Sequence, residues 1–154
     1  MDIWSKQKRS RVMARIRSRD TSPELAIRRR LHSLGLRYVL GGRHLPGRPD
    51  IVFPRWRLAV FIHGCFWHQH PGCIDGRLPH TRRSYWVPKL KGNIVRDARA
   101  RRRLSRMGWR VVRIWECEIH KRPLRGLRRI LRVISQRGSP SLRCRAGAAL
   151  SRCI

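Results

Sequence analysis

Residues 57–73, RLAVFIHGCFWHQHPGC, constrain this chain more than any other stretch of it. The run RLAVFI alternates in the manner of a half-buried strand. It ends directly in a segment holding three histidines, two cysteines and an adjacent Phe-Trp pair. Just upstream, LPGRPDIVF sets one carboxylate, Asp50, at the mouth of a second apolar strand. A further soft ligand, Cys117, lies far downstream in RIWECEI. Candidate zinc ligands, a candidate catalytic carboxylate, proton-moving histidines and stacking aromatics are thus gathered around two neighbouring strands.

Charge says what such a region meets. The chain carries 38 Lys and Arg against 8 Asp and Glu, a net charge of +30. That balance forecasts a polyanionic partner, nucleic acid before an acidic protein or a membrane surface. With 154 residues, 41% of them hydrophobic, one folded domain with a real core is expected rather than a disordered basic tail. No apolar run approaches the length of a membrane span, and MDIWSKQKRSR lacks the apolar core of a signal peptide. A cytoplasmic location without a membrane partner is therefore expected. The five cysteines are odd in number and unevenly spread, which suits metal ligation in a reducing compartment better than a disulfide framework.

Residues 1–20 carry many Lys and Arg with little apolar periodicity and read as a flexible basic arm that orders on DNA. Thr21-Ser22-Pro23-Glu24 is a helix start: a hydroxyl cap, proline in the first turn, and an acid at the positive end of the dipole. That helix runs to about residue 33, burying Leu25, Ile27 and Leu31, and Gly35 stops it. Strands follow at 37–40, 50–53 and 58–63, then a helix over 84–107 with Pro88 as an early interruption. A strand over 109–116 and an amphipathic helix over 124–136 complete the domain, which spans 21–137. From 138 to 154 the composition turns to Ser, Pro, Ala, Gly and Arg, a tail read as disordered. Helix, three strands, helix, strand, helix favours an α/β architecture, a mixed central sheet flanked by helices. By analogy this is the order of restriction-endonuclease-like nucleases.

Cys65, His70 and Cys73, completed by Cys117, offer three thiolates and one imidazole, a closed set typical of structural zinc. His68 is the rival imidazole, and Pro71-Gly72 supplies a turn that brings Cys73 back towards the ion. The bland alternative makes Cys65 and Cys117 small buried hydrophobes and His70 a surface residue. Cys144 and Cys153 fall in the tail and are expected to bind nothing. For phosphodiester cleavage, Asp50 is the carboxylate placed to hold a divalent metal. Nucleases of this kind usually add a second acid and a lysine on the next strand, and VFIHGCFWH has neither. Histidine titrates near neutrality, so His63 and His68 are the natural replacements, with Glu24 as a supporting carboxylate. Asp97, a rare acid amid arginines, either orients a histidine or pairs with an arginine. Phe66, Trp67 and Trp86 are candidate wedges between base steps, with Arg82, Arg83 and Lys89 nearby for phosphates. Trp109 and Trp115, on a strand, read as core.

The blocks RSRVMARIRSRDTSPE, LPGRPDIVF, FIHGCFWH, YWVPKLKGNIVRDARARRRL and GWRVVRIWEC occur in the order found in the very-short-patch repair (Vsr) DNA mismatch endonuclease family. The chain resembles that family over residues 5–136. The resemblance implies a bacterial enzyme with a restriction-endonuclease-like fold. It would nick DNA on the 5′ side of the thymine in T·G mismatches left by deamination of 5-methylcytosine. The matched positions imply Mg2+ on Asp50 and on the backbone carbonyl of Ile62, His68 as general base, and His63 and Glu24 as supporting residues. They also imply structural Zn2+ on Cys65, His70, Cys73 and Cys117, base-stack insertion by Phe66, Trp67 and Trp86, and DNA contact by Met13 in the arm. Ile62 stands where one branch of the family has threonine, so any role there falls to the backbone. The expected partner is double-stranded DNA with a T·G mismatch, met by a monomer, with mismatch-repair proteins as candidate further partners. Two other readings compete: a restriction-type endonuclease on matched DNA, and a non-catalytic zinc-stabilised DNA-binding module. Asp50 beside two histidines favours catalysis, because a binding module has no need of a carboxylate facing phosphate.

Overall fold

The computed structural model describes residues 20–136 together with Gln7 and Arg11. The basic arm (Asp20, Gln7 and Arg11 apart), Met13 within it, and the tail with Cys144 and Cys153 lie outside the described residues. Helix α1, Ser22–Ser33, starts after Thr21 with Pro23 in its first turn; the expected hydroxyl cap is not made, and the Thr21 side chain donates to Glu24 instead. It buries Glu24, Ile27 and Leu31, whereas Leu25, expected inside, is 36% exposed. At 3.6 residues per turn, 24, 27 and 31 share a face and 25 is rotated off it. The acid is the inward residue.

Strands β1 (Val39–Leu40), β2 (Ile51–Phe53), β3 (Leu58–His63) and β4 (Arg110–Trp115) form one four-stranded sheet in that order. The first three pair antiparallel, while β3 and β4 run parallel, from Leu58 opposite Arg110 to His63 opposite Trp115. A parallel pair needs a crossover, supplied here by α2, Arg83–Arg106. Pro88 lies inside α2 near its start, and the helix continues through it without the expected interruption.

After β4 the chain differs from expectation. Glu116–Lys121 forms a short helix, α3, rather than a strand end and a linker, and Pro123–Ser135 follows as α4. Glu118 accepts a hydrogen bond from the Trp115 backbone N–H at 3.1 Å, which turns the chain into that helix. The sheet is covered on both faces. Ile27 and Leu31 of α1 and Leu127, Ile130 and Ile134 of α4 pack on Ile51, Phe53, Leu58, Val60 and Ile114. A smaller cluster, Leu45, Val52, Ala59 and Leu104, joins the opposite face to α2, with Phe61 and Val111 against it. Period-two alternation therefore puts His63 on the α2 face.

Candidate active site and metal centre

The turn ahead of β2 is shaped by close approach. Gly47 has φ +78°, and a Cβ there would lie 2.6 Å from the Ala100 Cβ. Arg48 follows at φ +53°, a left-handed conformation that non-glycine residues rarely hold. This turn delivers Asp50 to the sheet edge, where its N–H donates to Val60 O at 3.0 Å. The Asp50 carboxylate then accepts the Ile62 N–H at 2.7 Å, tying the start of β2 to the end of β3. Burial raises the Asp50 pKa from 3.8 to about 6, against the Ile62 hydrogen bond; the Glu24 charge adds to the rise and Arg28 opposes it. Glu24 is only 4% exposed. It accepts hydrogen bonds from the Asp20 N–H at 3.1 Å, the Thr21 hydroxyl at 3.0 Å and the Arg28 guanidinium at 2.8 Å.

At the end of β3 the chain turns back, with His68 N–H on Gly64 O at 3.2 Å. The His63 and His68 rings consequently stack, centroids 3.8 Å apart and planes 16° from parallel. Asp97, from the middle of α2, places Oδ2 2.5 Å from His68 Nδ1 and 3.9 Å from His63 Nδ1. Of the two roles the sequence leaves to Asp97, partner of a histidine or of an arginine, the geometry has the first. With Nδ1 engaged, the His68 Nε2 is the atom left to take a proton. His63 is buried, and its Nδ1 has no hydrogen-bond partner among the described residues. Burial, then the neighbouring His68, pulls its pKa from 6.5 down to about 3, so it is neutral over the working range. The donor atoms of His63, His68 and Asp97 lie within 4.8 Å of one another, close enough to share an ion.

Asp50, Glu24, Ile62, His63 and His68 all line one cleft of about 900 Å3, together with Trp67 and Trp86. Arg48, Tyr85 and Glu116 line it too, and the sequence alone does not single them out as site residues. Glu116 reads from its surroundings as the end of a strand. The signal available is an acid set between Trp115 and Cys117 in an otherwise acid-poor chain.

Cys65, His70, Cys73 and Cys117 form a second group, all donors within 4.8 Å. His70 Nδ1 lies 3.2 Å from Cys117 Sγ and 3.7 Å from Cys65 Sγ. Tetrahedral zinc with sulfur at about 2.3 Å and nitrogen at about 2.0–2.1 Å calls for donor separations of about 3.6–3.8 Å. The two nitrogen–sulfur separations lie near that spacing, and three thiols with one imidazole are a donor set that suits the ion. His68, the rival imidazole, is engaged by Asp97 instead. The loop closes through Cys73 N–H on His70 O at 3.3 Å. Gly76 permits it, since a Cβ there would sit 2.5 Å from the His70 carbonyl oxygen. Burial, then hydrogen bonding among the thiols, pushes Cys65 up to about 12, and Cys117 is raised as well. A cation among them would reverse that direction. Trp115 links the two groups: its ring stacks on His70 at 4.2 Å and meets His63 edge-on at 5.5 Å.

Phe66, Trp67 and Trp86 touch one another, with centroid separations of 5.2, 5.2 and 5.9 Å, and Trp67 and Trp86 line the cleft. Asn93 holds the Trp67 carbonyl at 2.8 Å, and Lys89 lies over the Trp67, Tyr85 and Trp86 rings at 5.1–5.7 Å. Trp115 is core, as expected; Trp109 is partly buried against the smaller cluster.

An α/β sheet that brings a strand-borne carboxylate, paired histidines and an aromatic cluster into one cleft of a strongly basic chain is the framework of a nuclease. Comparison with known proteins narrows the class. The family described as DNA mismatch endonuclease Vsr matches residues 1–73. The chain is 49% identical over 118 residues to the Type II nicking enzyme V.XorIIP of Xanthomonas oryzae pv. oryzae, a match covering 77% of this chain and 86% of that one. It is 40% identical over 121 residues to the DNA mismatch endonuclease Vsr of Escherichia coli, covering 79% and 77% respectively. With the Type II nicking enzyme V.NmeAIP of Neisseria meningitidis it shares 37% identity over 135 residues, covering 86% and 96%. The chain belongs to the Vsr DNA mismatch endonuclease family. Among the described residues, no helix is long and apolar enough to cross a membrane.

Proposed function

We propose that this protein is a magnesium-dependent, strand-specific endonuclease that nicks double-stranded DNA 5′ of the thymine in T·G mismatches, the lesion left by deamination of 5-methylcytosine. The observation that carries this reading is the single cleft shared by Asp50, the His68–Asp97 pair and the aromatic cluster. Asp50 and the Ile62 carbonyl would hold Mg2+, which supplies charge stabilisation at the phosphoryl oxygens and a more acidic water. His68 takes the water's proton on Nε2, and Asp97 fixes its tautomer and stabilises the imidazolium that forms. His63, neutral and stacked on His68, keeps that ring from tilting. Glu24 anchors the wall of the cleft and adds negative charge beside Asp50.

Phe66, Trp67 and Trp86 enter the base stack, at a lower cost at a mismatched step than at a paired one. Met13 would assist from the basic arm. A structural Zn2+ on Cys65, His70, Cys73 and Cys117 would pin the loop that carries both His68 and the wedge. The fold is then the restriction-endonuclease-like type over 21–137, acting as a cytoplasmic monomer, with mismatch-repair proteins as candidate partners.

A second reading is a restriction-type endonuclease on matched DNA; five relatives are named Type II nicking enzymes, a name in which no mismatch figures. One experiment separates them: single-turnover cleavage of end-labelled T·G and matched duplexes with Mg2+. A nick in the thymine strand of the T·G duplex alone supports the proposal. Equal cutting of both duplexes favours the restriction-type reading, and no cutting of either favours a binding module.

A further inference from the structure

A second groove, of about 780 Å3, lies behind the catalytic histidines. It shares His63, Trp67, His68 and Asp97 with the first cleft, so the two adjoin along the His68–Asp97 pair. Phe61, Val111 and Trp115 of the sheet line it on one side. Arg96 and Arg101 of α2, Arg113 of β4 and Arg129 of α4 line it with positive charge.

These four cations are not equivalent. Arg129 is committed to Glu118, and Arg96 to Asn93 and the Gly92 carbonyl. Arg101 and Arg113 pair with no carboxylate among the described residues. Arg113 is nonetheless held in place, its guanidinium 4.8 Å over the Trp115 ring. The one acid in the lining, Asp97, is taken up by His68. The groove therefore presents positive charge with no carboxylate partner among the described residues, Arg113 being held in place, beside an apolar surface that continues the catalytic cleft.

A scissile phosphate at His68 belongs to a strand that has to leave the cleft in both directions, with a phosphate for every ~3.4 Å of helix axis along each strand. On one side it meets Tyr85 and Trp86, which line the first cleft alone. We infer that on the other side the second groove holds the sugar-phosphate backbone of the cleaved strand, with Arg101 and Arg113 on successive phosphates. The inference rests on the proposed nicking reaction for the identity of the strand, and extends it to the nucleotides flanking the cut.

The test is binding by fluorescence anisotropy against a salt series, in an Asp50→Asn background so that nothing is cut. Three T·G duplexes are used: one extended on both sides, and two whose cleaved strand stops one nucleotide beyond the scissile phosphate on one side or the other. On the extended duplex, Arg101→Ala/Arg113→Ala should weaken binding roughly tenfold or more at moderate salt. It should also flatten the log–log salt slope by about 1.8, close to 0.9 for each phosphate no longer neutralised. Arg101→Lys/Arg113→Lys should keep most of the slope. Arg102→Ala/Arg103→Ala, at exposed positions of α2 that line neither groove, should change it far less. On one truncated duplex only, the parent and the Arg101→Ala/Arg113→Ala variant should bind alike.

An unchanged slope overturns the inference, as does a control pair with an equal loss, which would reduce the effect to net charge. A difference that persists on both truncated duplexes also overturns it and points to another occupant, such as an acidic peptide. If T·G nicking fails while the slope and truncation results hold, the catalytic reading falls and the strand-binding groove stands.

Discussion

Asp50 is held in the folded chain at a cost, and removing its charge should expose that cost. Its carboxyl titrates at about 6 in the fold against 3.8 in an unfolded chain, chiefly because burial disfavours the charge. At 1.36 kcal/mol per pH unit that gap is worth about 3 kcal/mol, and partial solvation of the site brings it to about 2–3. Below pH 3.8 the group is neutral in both states and costs nothing. Between 3.8 and about 6 the unfolded chain sheds the proton while the fold retains it, so stability falls as pH rises. Above about 6 the whole penalty is present.

Asp50→Asn keeps an oxygen for the Ile62 N–H and carries no charge. It should therefore be more stable than the parent by about 2 kcal/mol at pH 7.5, while nicking falls by orders of magnitude. Its advantage should shrink by about 1 kcal/mol when the pH is lowered to 5. Magnesium added to the parent should also narrow the gap, since it binds the folded site alone. Urea unfolding of both proteins, zinc present throughout, measures each quantity. A variant equal to or less stable than the parent at pH 7.5 refutes the reasoning: Asp50 would then be a satisfied structural carboxylate.

Three further outcomes are expected. The purified protein should carry about one zinc per chain, and Cys117→Ala should cost several kcal/mol of stability; metal analysis of folded protein showing no zinc removes the ion from the account. Asp97→Asn should slow single-turnover nicking by roughly 10²–10³-fold with binding unchanged, within the range of acid–base catalysis; a rate within a factor of three of the parent makes His68 independent of Asp97. Trp67→Ala should weaken binding to a T·G duplex by about 1–3 kcal/mol and leave the matched duplex nearly untouched; equal losses on the two duplexes make Trp67 a packing residue.

Much of this architecture is legible in the sequence because its signals are local. The Thr21-Ser22-Pro23-Glu24 start, the apolar run Leu58–His63 and the amphipathic stripe of Pro123–Ser135 each announce an element from within it. The site residues are legible as residue types at strand mouths, where side chains project beyond the sheet. What stays hidden depends on neighbours distant in the chain. Glu24 has the look of a helix-start charge, and its burial follows from Arg28 and the adjoining cleft wall. Asp97 could serve an arginine, and only the crossover of α2 brings it to His68. Helix α3 escapes notice because one glutamate, Glu118, turns a β-branched strand into a helix by bonding back to Trp115. The second groove lies beyond reach, since its cations come from three elements with no shared motif.

The parallel register that sets His63 opposite Trp115 has a consequence for how this chain matures. Cys65 and Cys117 each lie two residues past that pair, and between them runs the whole α2 crossover. Their thiols can meet only after the slowest kind of contact has formed, a parallel pairing between segments distant in sequence. A zinc ion on these residues would gain Cys117 as its fourth ligand only when β3 and β4 pair, whereas Cys65, His70 and Cys73 share one short segment. A newly made chain would hold Cys117 apart from the other proposed ligands until β4 docks, the interval in which oxidants and chelators do most harm. Completion of the proposed four-ligand site during refolding should therefore keep pace with β3–β4 pairing, and a partial three-ligand complex would precede it.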